Sequence, residues 1–402
     1  MGPKHIVFKK LSKDKSVGVY MGRRDFVDHV DCVDPVDGVV LVDPVQMRGR
    51  KAFVALSCTF RYGAEDEEVL GIEFRRDLYL CTRQVYPPLQ DKERSTHTRM
   101  QNRLLCKLGE NAYPFFFEFP DNLPCSVGLQ PAPTDVGKHC AVEFEVKAFS
   151  AKTQGEKVRK RSTVKLMIRK VQYAPEQSGP APSVQTAYEF AISDKSLLLE
   201  ASLEKLTYYH GENINIHLSI TNNSSRTVKS ICFLVEQVAN VVLYSSDSYV
   251  KTVAEEQTSD TVASGGSLEK VYTILPVLAN NSEKRGIALD GKLKYEDTNL
   301  ASSSIVKEGV LKEVLGILVC YKVVVKLKAG GMIASSEVRA ELPFQLMHPK
   351  PDAVSTMRRC WRGSGTAAQR ERRTRRRRRR RVATRPQLKG DDITDRSLWP
   401  GS

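Results

Sequence analysis

Thr163–Val171 reads TVKLMIRKV, and its alternation decides the fold class. Val164, Leu166 and Ile168 fall on one face; Lys165, Met167, Arg169 and Val171 fall on the other. A period of two with β-branched residues on the apolar side marks a half-buried strand. Working outward, the same signal recurs in Val39–Val42, Ala52–Tyr62, Val69–Arg83 and Cys140–Phe149, all rich in Val, Ile, Phe and Tyr. Asp34-Pro35, Asp43-Pro44, Pro87-Pro88 and Pro131–Pro133 separate these runs as turns. One segment departs from the pattern. In Thr98–Gly109, Met100, Leu104 and Leu108 repeat every four residues and Gly109 follows, which predicts a short helix with one apolar stripe.

Pro175–Ser183, PEQSGPAPS, has linker composition. Beyond it the strand pattern resumes over Leu197–Leu203, Asn213–Thr221, Val228–Tyr244, Val271–Leu278, Leu315–Leu327 and Val338–Met347. Many short strands, frequent turns and one helix predict an all-β chain of two β-sandwich domains. The expected division is 1–174, a linker over 175–183, a second domain over 184–352, and a separate tail over 353–402. A chain of 402 residues is long enough for two such cores.

The net charge of +15 is unevenly spread. Ala353–Ser402 holds 16 Lys/Arg against 4 Asp/Glu, leaving only +3 for the preceding 352 residues. Seven consecutive arginines, Arg375–Arg381, lie in that tail, which reads as disordered. No apolar run reaches the roughly 18 residues of a membrane span. Ile6–Phe8 is too short for a signal-peptide core, and Ile6 stands where a myristoylation site needs Ser or Thr. Nine cysteines without a CxxC pair suit buried free thiols in a reducing compartment. The expectation is a soluble intracellular protein.

Enzyme signatures are missing: there is no HExxH, P-loop, GxSxG or dinucleotide-binding fingerprint. His5, His29, His97, His139, His210, His217 and His348 are not spaced as metal ligands, so each is read as a surface or core histidine and no metal site is expected. The chemistry concentrates instead in Gly286–Ser304, GIALDGKLKYEDTNLASSS, a connection far longer than a hairpin needs. Asp290 and Asp297 stand seven apart there, with Lys292 and Lys294 between them. Two such aspartates, if buried, require a cationic partner. Arg169 is the candidate, although alternation alone favours a solvated strand arginine.

With both segments in view the chain resembles the arrestin family. The resemblance also rests on VFKK (Val7–Lys10), RRDFVDHVDCVDPVDGVVLVDP (Arg23–Pro44), FRYGAEDEEVLGIEFRRDLY (Phe60–Tyr79), LPCSVGLQPAP (Leu123–Pro133), IRKVQYAP (Ile168–Pro175), YYHGE (Tyr208–Glu212) and LPFQLMHPKPD (Leu342–Asp352). It runs from about Lys4 to Asp352. The implied fold is two arrestin-type, immunoglobulin-like β-sandwiches with one short helix in the first.

The implied function is non-enzymatic: binding an active, phosphorylated G-protein-coupled receptor and blocking G-protein coupling. The resemblance implies a charge cluster of Asp25, Arg169, Asp290 and Asp297 that holds the basal state. It implies that Lys9 and Lys10, following the first strand, meet receptor phosphates first. Lys165, Lys170, Lys292 and Lys294 would extend the basic surface. It further implies a receptor-entering finger loop that includes Tyr62, Gly63, Glu65, Asp66, Val69, Leu70 and Gly71. Pro131–Cys140 and Leu243–Lys251 would be receptor-facing loops, and Met332 and Ile333 in Lys328–Ser336 would touch the membrane. Ile6, Val7 and Phe8 on the first strand, with Met100, Leu104 and Leu108, would form an apolar site for a C-terminal tail.

LVEQVANVVLYSSDSYVKT (Leu234–Thr252), RYGAEDEEV (Arg61–Val69) and the lack of a clathrin-binding Leu-Ile-Glu-Leu box resemble the rod-type visual branch. The target implied is light-activated phosphorylated rhodopsin, in the photoreceptor cytoplasm and at outer-segment membranes. A non-visual or pre-activated arrestin is the alternative. Inositol polyphosphates and self-association are further expectations carried from the family. The tail matches no arrestin pattern and contains no Phe. It is read as a misread exon or frame, as a splice form without the restraining tail, or as a nucleic-acid-binding or nuclear-targeting arm, with the first favoured and nucleic acid an unlikely partner.

Overall fold

The computed structural model describes residues 6–64, 75–89, 97–135, 138–176, 179–190, 195–243, 246–293, 298–307, 309, 314–330 and 335–350. The N-terminal half opens with β1 (Phe8–Leu11), β2 (Val17–Met21), β3 (Asp25–Asp28) and β4 (Val36–Val42). A single turn, α1 (Pro44–Met47), leads to β5 (Lys51–Ala64) and β6 (Arg75–Tyr86). Helix α2 (Arg99–Leu108) precedes β7 (Ala112–Phe117), β8 (Val127–Leu129), β9 (Lys138–Ala151) and β10 (Thr163–Gln172).

The second half contains β11 (Ser183–Tyr188), β12 (Leu197–Leu203), β13 (Thr207–Tyr209), β14 (Ile214–Asn222) and β15 (Thr227–Val242). It continues with β16 (Ser246–Thr258), β17 (Ser267–Ile274), β18 (Ala288–Asp290), β19 (Gly316–Gly330) and β20 (Ser335–Met347).

Two sandwiches result, as the strand pattern predicts. In the first, sheet β1-β2-β4-β7 packs on the run β18-β8-β9-β10-β3, to which β5 and β6 are joined through β9. In the second, β11-β12-β14-β17 packs on β13-β20-β19-β15-β16. The exception to this partition is β18. It belongs to the second half by sequence but pairs antiparallel with β8, Ala288 opposite Leu129 and Asp290 opposite Val127. Among the described residues no helix is long and apolar enough to cross a membrane.

Alternation on β10 works as expected for the apolar residues. Val164, Leu166 and Ile168 are buried, each contributing about 1.5–3 kcal/mol by leaving water. The same parity carries Lys170 inward, where its side chain is 1% exposed, so the expectation that it extends the basic surface is overturned. The Lys170 ammonium is paired with Asp28 on β3 and donates to the Leu123 carbonyl at 2.8 Å. Those partners make burial tolerable.

Helix α2 has the predicted position. Thr98 caps it: its hydroxyl accepts from the Gln101 amide at 3.2 Å, and the Gln101 side chain accepts from the Thr98 amide at 3.0 Å. Gly109 ends it at φ +78° and ψ −160°, a conformation open to glycine, with its amide donating to the Leu105 carbonyl at 3.0 Å. Leu104 is buried in a satellite core with Val7, Tyr20, Val39 and Ala112, and Met100 and Leu108 pack against that core.

Several sequence-based boundaries are corrected. Lys9 and Lys10 lie on β1 rather than after it, opposite Tyr20 and Val19. Ile6 and Val7 precede that strand, and only Phe8 is on it. Tyr62 and Gly63 are not loop residues: both extend β5, paired with Cys140 and His139 of β9. His139 and Cys140 thereby leave the expected loop over Pro131–Cys140. Ser246–Lys251, expected in a loop, begins β16 and pairs with Gln237–Val242 of β15. The edge of β15 offers a ladder that this polar stretch can complete. Lys328–Gly330 closes β19, and Ser335 and Ser336 open β20.

Replacing Lys170 by Met should cost about 3–5 kcal/mol, because it leaves Asp28 buried without a counter-charge. Urea unfolding of the single variant and of Lys170→Met with Asp28→Asn measures this. The double variant should regain most of the loss.

Candidate functional site at the junction of the two sandwiches

Strand pairing places the first two charged residues. β10 and β3 run parallel with Arg169 opposite Asp25, and the Arg169 amide donates to the Arg24 carbonyl at 2.8 Å. The two side chains then meet. Arg169 Nε donates to Asp25 Oδ1 and Nη2 to Asp25 Oδ2, both at 2.7 Å. This bidentate pairing is the strong form of a charge-assisted hydrogen bond. Arg169 Nη1 also donates to the Gly291 carbonyl at 3.2 Å, so one guanidinium spans β3 and the segment that follows β18.

The pair is only partly withdrawn from water: the Arg169 side chain is 19% exposed and that of Asp25 40%. It is unlike the interior Lys170–Asp28 pair one residue away on the same strand. An ion pair at a wet seam can exchange one anion for another; an interior pair cannot do so without opening the core.

Gly291 sits where it does because nothing larger fits. A Cβ there would meet the Ser126 Cβ at 2.5 Å, and the Gly291 amide donates to the Ser126 carbonyl at 2.8 Å. Beside it lies a cavity of about 430 Å³ whose lining includes Leu129, Val142, Arg169, Leu289 and Lys292.

Asp290, at the end of β18, takes its hydrogen bonds from the second half of the chain. Its Oδ1 accepts from the Ser302 amide at 2.8 Å, and its Oδ2 accepts from the Ser302 hydroxyl at 3.1 Å. His348 Nε2 lies 2.9 Å from Oδ2 and His210 Nε2 lies 3.9 Å from it. The two imidazoles are 4.3 Å apart between ring centres. Burial, aided by the neighbouring His348, lowers the His210 pKa to about 4 despite the Asp290 carboxylate, so His210 is neutral at ordinary pH.

In the sequence the histidines stand singly, with no metal-ligand spacing. Both lie in quoted motifs, YYHGE and LPFQLMHPKPD, yet only the fold brings positions 210, 290 and 348 together. Other fastenings of the seam are equally silent in sequence. Gln172 exchanges two hydrogen bonds with the Ile305 backbone, at 2.7 and 3.0 Å. Gln237 does the same with Ala288, at 2.9 and 2.7 Å. Gln130 donates to the Asn281 and Lys284 carbonyls.

The remaining expected residues divide into two groups. Lys9 and Lys10 are half-buried on β1, which approaches β10. Tyr62 packs its ring 6.1 Å from that of Phe60. Asp297, Lys294, Glu65, Asp66, Val69, Leu70, Gly71, Met332, Ile333 and the 353–402 tail lie outside the described residues.

Comparison with known proteins follows the same two-part division. The family described as arrestin (or S-antigen), N-terminal domain, matches residues 17–174, and its C-terminal counterpart matches residues 193–351. The chain is 56% identical to S-arrestin of Xenopus laevis over 352 residues, 87% of this chain and 88% of the relative. It is 56% identical to S-arrestin of Homo sapiens over 356 residues, 87% of each. It is also 56% identical to arrestin red cell isoform 3 of Oncorhynchus mykiss over 357 residues, 88% of this chain and 86% of the relative. The chain therefore belongs to the arrestin family, whose members are non-enzymatic adaptors that bind G-protein-coupled receptors.

Proposed function

We propose that this chain binds light-activated, phosphorylated rhodopsin and blocks its coupling to G protein. The observation that carries the reading is the bidentate Arg169–Asp25 pair at the seam, with its third bond to Gly291. The similarity to S-arrestins favours rhodopsin as the receptor. The reading takes 1–174 and 184–352 as the two working domains and 175–183 as their connection. It places the protein in the photoreceptor cytoplasm, with outer-segment membranes as its site of action.

The mechanism proposed is anion exchange on Arg169. A receptor phosphate drawn in by Lys9 and Lys10 offers the guanidinium a doubly charged partner with three acceptor oxygens. Asp25 offers one charge and is already partly hydrated. Transfer of Arg169 to phosphate releases Asp25 and, with it, the bond to Gly291. Asp297 is assigned to the same cluster by its place in the family motif. The segment after β18 then loses a tie to β10, and the two sandwiches are freer to rearrange around the receptor. Hydrogen bonds to charged groups contribute about 1.5–3 kcal/mol each, so losing this tie shifts the basal equilibrium by roughly tenfold or more.

Binding of the full chain to rhodopsin in four forms, dark or illuminated and phosphorylated or not, tests the assignment. Strong binding is expected only to the illuminated, phosphorylated form; binding to none of the four sinks the visual reading in favour of another receptor.

Reversing the charge, Arg169→Glu, should raise binding to illuminated unphosphorylated rhodopsin roughly tenfold or more by removing the restraint in advance. Adding Asp25→Arg to that variant should restore dependence on phosphate. A single variant as selective as the parent chain would mean that Arg169 is not the sensor.

A further inference from the structure

We propose that His210, His348 and Asp290 form a binding site for a divalent transition-metal ion, with zinc the best match. The inference goes beyond the receptor reading and does not depend on it. Each of the three residues offers a ligand atom within 4.8 Å of those of the other two. The separations are 2.9 Å from His348 and 3.9 Å from His210 to the carboxylate oxygen. A tetrahedral zinc ion with bonds of about 2.0–2.1 Å needs its donors roughly 3.3 Å apart. The two histidine–carboxylate distances bracket that value, so side-chain shifts of a fraction of an ångström would bring each imidazole to a zinc-like distance from the carboxylate.

The donor chemistry agrees with the geometry. Two imidazoles and one carboxylate suit zinc and its late first-row neighbours far better than magnesium or calcium, which take oxygen-only cages. His210 turns its Nε2 toward the cluster, beside both the Asp290 carboxylate and the Ser302 hydroxyl. Its side chain is 10% exposed, that of His348 26% and that of Asp290 24%, which leaves the cluster partly sheltered yet reachable from solvent.

Support beyond the donors is also present. The Ser302 amide holds Asp290 Oδ1 at 2.8 Å and so aims Oδ2 at the histidines. The Ser302 hydroxyl, 3.2 Å from His210 Nε2 and 3.1 Å from Asp290 Oδ2, stands where a fourth donor or a bound water would be steadied. His210 follows β13, His348 follows β20 and Asp290 ends β18. A cation here would therefore tie the strand that crosses to the first sandwich to two strand ends of the second.

Cobalt(II) titration of the full chain, with zinc as competitor and no receptor present, tests the proposal. Its failure therefore leaves the receptor reading untouched. One equivalent of cobalt should give a visible ligand-field band that zinc abolishes. His210→Gln and His348→Gln should each weaken binding at least tenfold. No saturable band, a sulfur-to-cobalt charge-transfer band assigning the ion to the thiols, or equal binding by both variants would overturn it. Should circular dichroism show that a variant has not folded, the parent chain decides. Zinc should protect His348 from diethylpyrocarbonate, read by mass spectrometry, while leaving the exposed His29 and His217 reactive. Equal modification of His348 with and without zinc would also overturn the proposal.

Discussion

The junction depends on β18, three residues of the second half that complete an edge of the first sandwich's sheet. The Arg169–Asp25 pair joins β10 to β3, and the other charged contacts described at the seam start from the end of that short ladder. Its last residue, Asp290, turns a carboxylate back toward His348 and Ser302, and the next, Gly291, turns a carbonyl toward Arg169. The ladder and its flanking bonds are few, and each contributes only about 0.5–1.5 kcal/mol net. The sandwiches bury dozens of apolar side chains apiece. The hierarchy is therefore steep: two cores that hold their shape, and a seam whose bonds lie within reach of a ligand's binding energy.

Electrostatic contrast on β10 sharpens that hierarchy. Arg169 and Lys170 are adjacent, carry the same charge and each face an aspartate of β3, yet they differ in kind. Lys170 and Asp28 are 1% and 10% exposed, whereas Arg169 and Asp25 are 19% and 40% exposed. Screening by salt reaches the second pair and scarcely touches the first. Parity along one strand thus separates an interior ion pair from a partly exposed one.

What the sequence disclosed follows the same physics. Alternation located most strands, with Leu197–Leu203 recovered residue for residue as β12, because half-buried strands write their environment into every second position. It overlooked Ser246–Lys251 at the start of β16, whose residues are exposed and carry no such imprint. Lys170 shares the inward parity of Val164, Leu166 and Ile168, whereas the family likeness puts it on the basic surface; the positions of Asp28 and the Leu123 carbonyl account for its burial. Only the family likeness joins Asp25 to Arg169; their parallel register is a long-range fact that no local pattern encodes. The His210–His348 pair was illegible for the same reason, since two strand ends far apart in sequence have to converge before the imidazoles can meet.

One consequence of the buried Lys170 concerns noise. A sensor fixed to a wandering backbone would part from its partner through thermal fluctuation alone, and its resting output would report that wandering. The neighbour of Arg169 is anchored on the inner face by an ammonium that cannot leave without exposing an unpaired charge. Displacing the backbone at the proposed sensor therefore carries the cost of unpairing that buried charge. The false-alarm rate of such a device would be set by local anion chemistry rather than by the looseness of the domain that carries it.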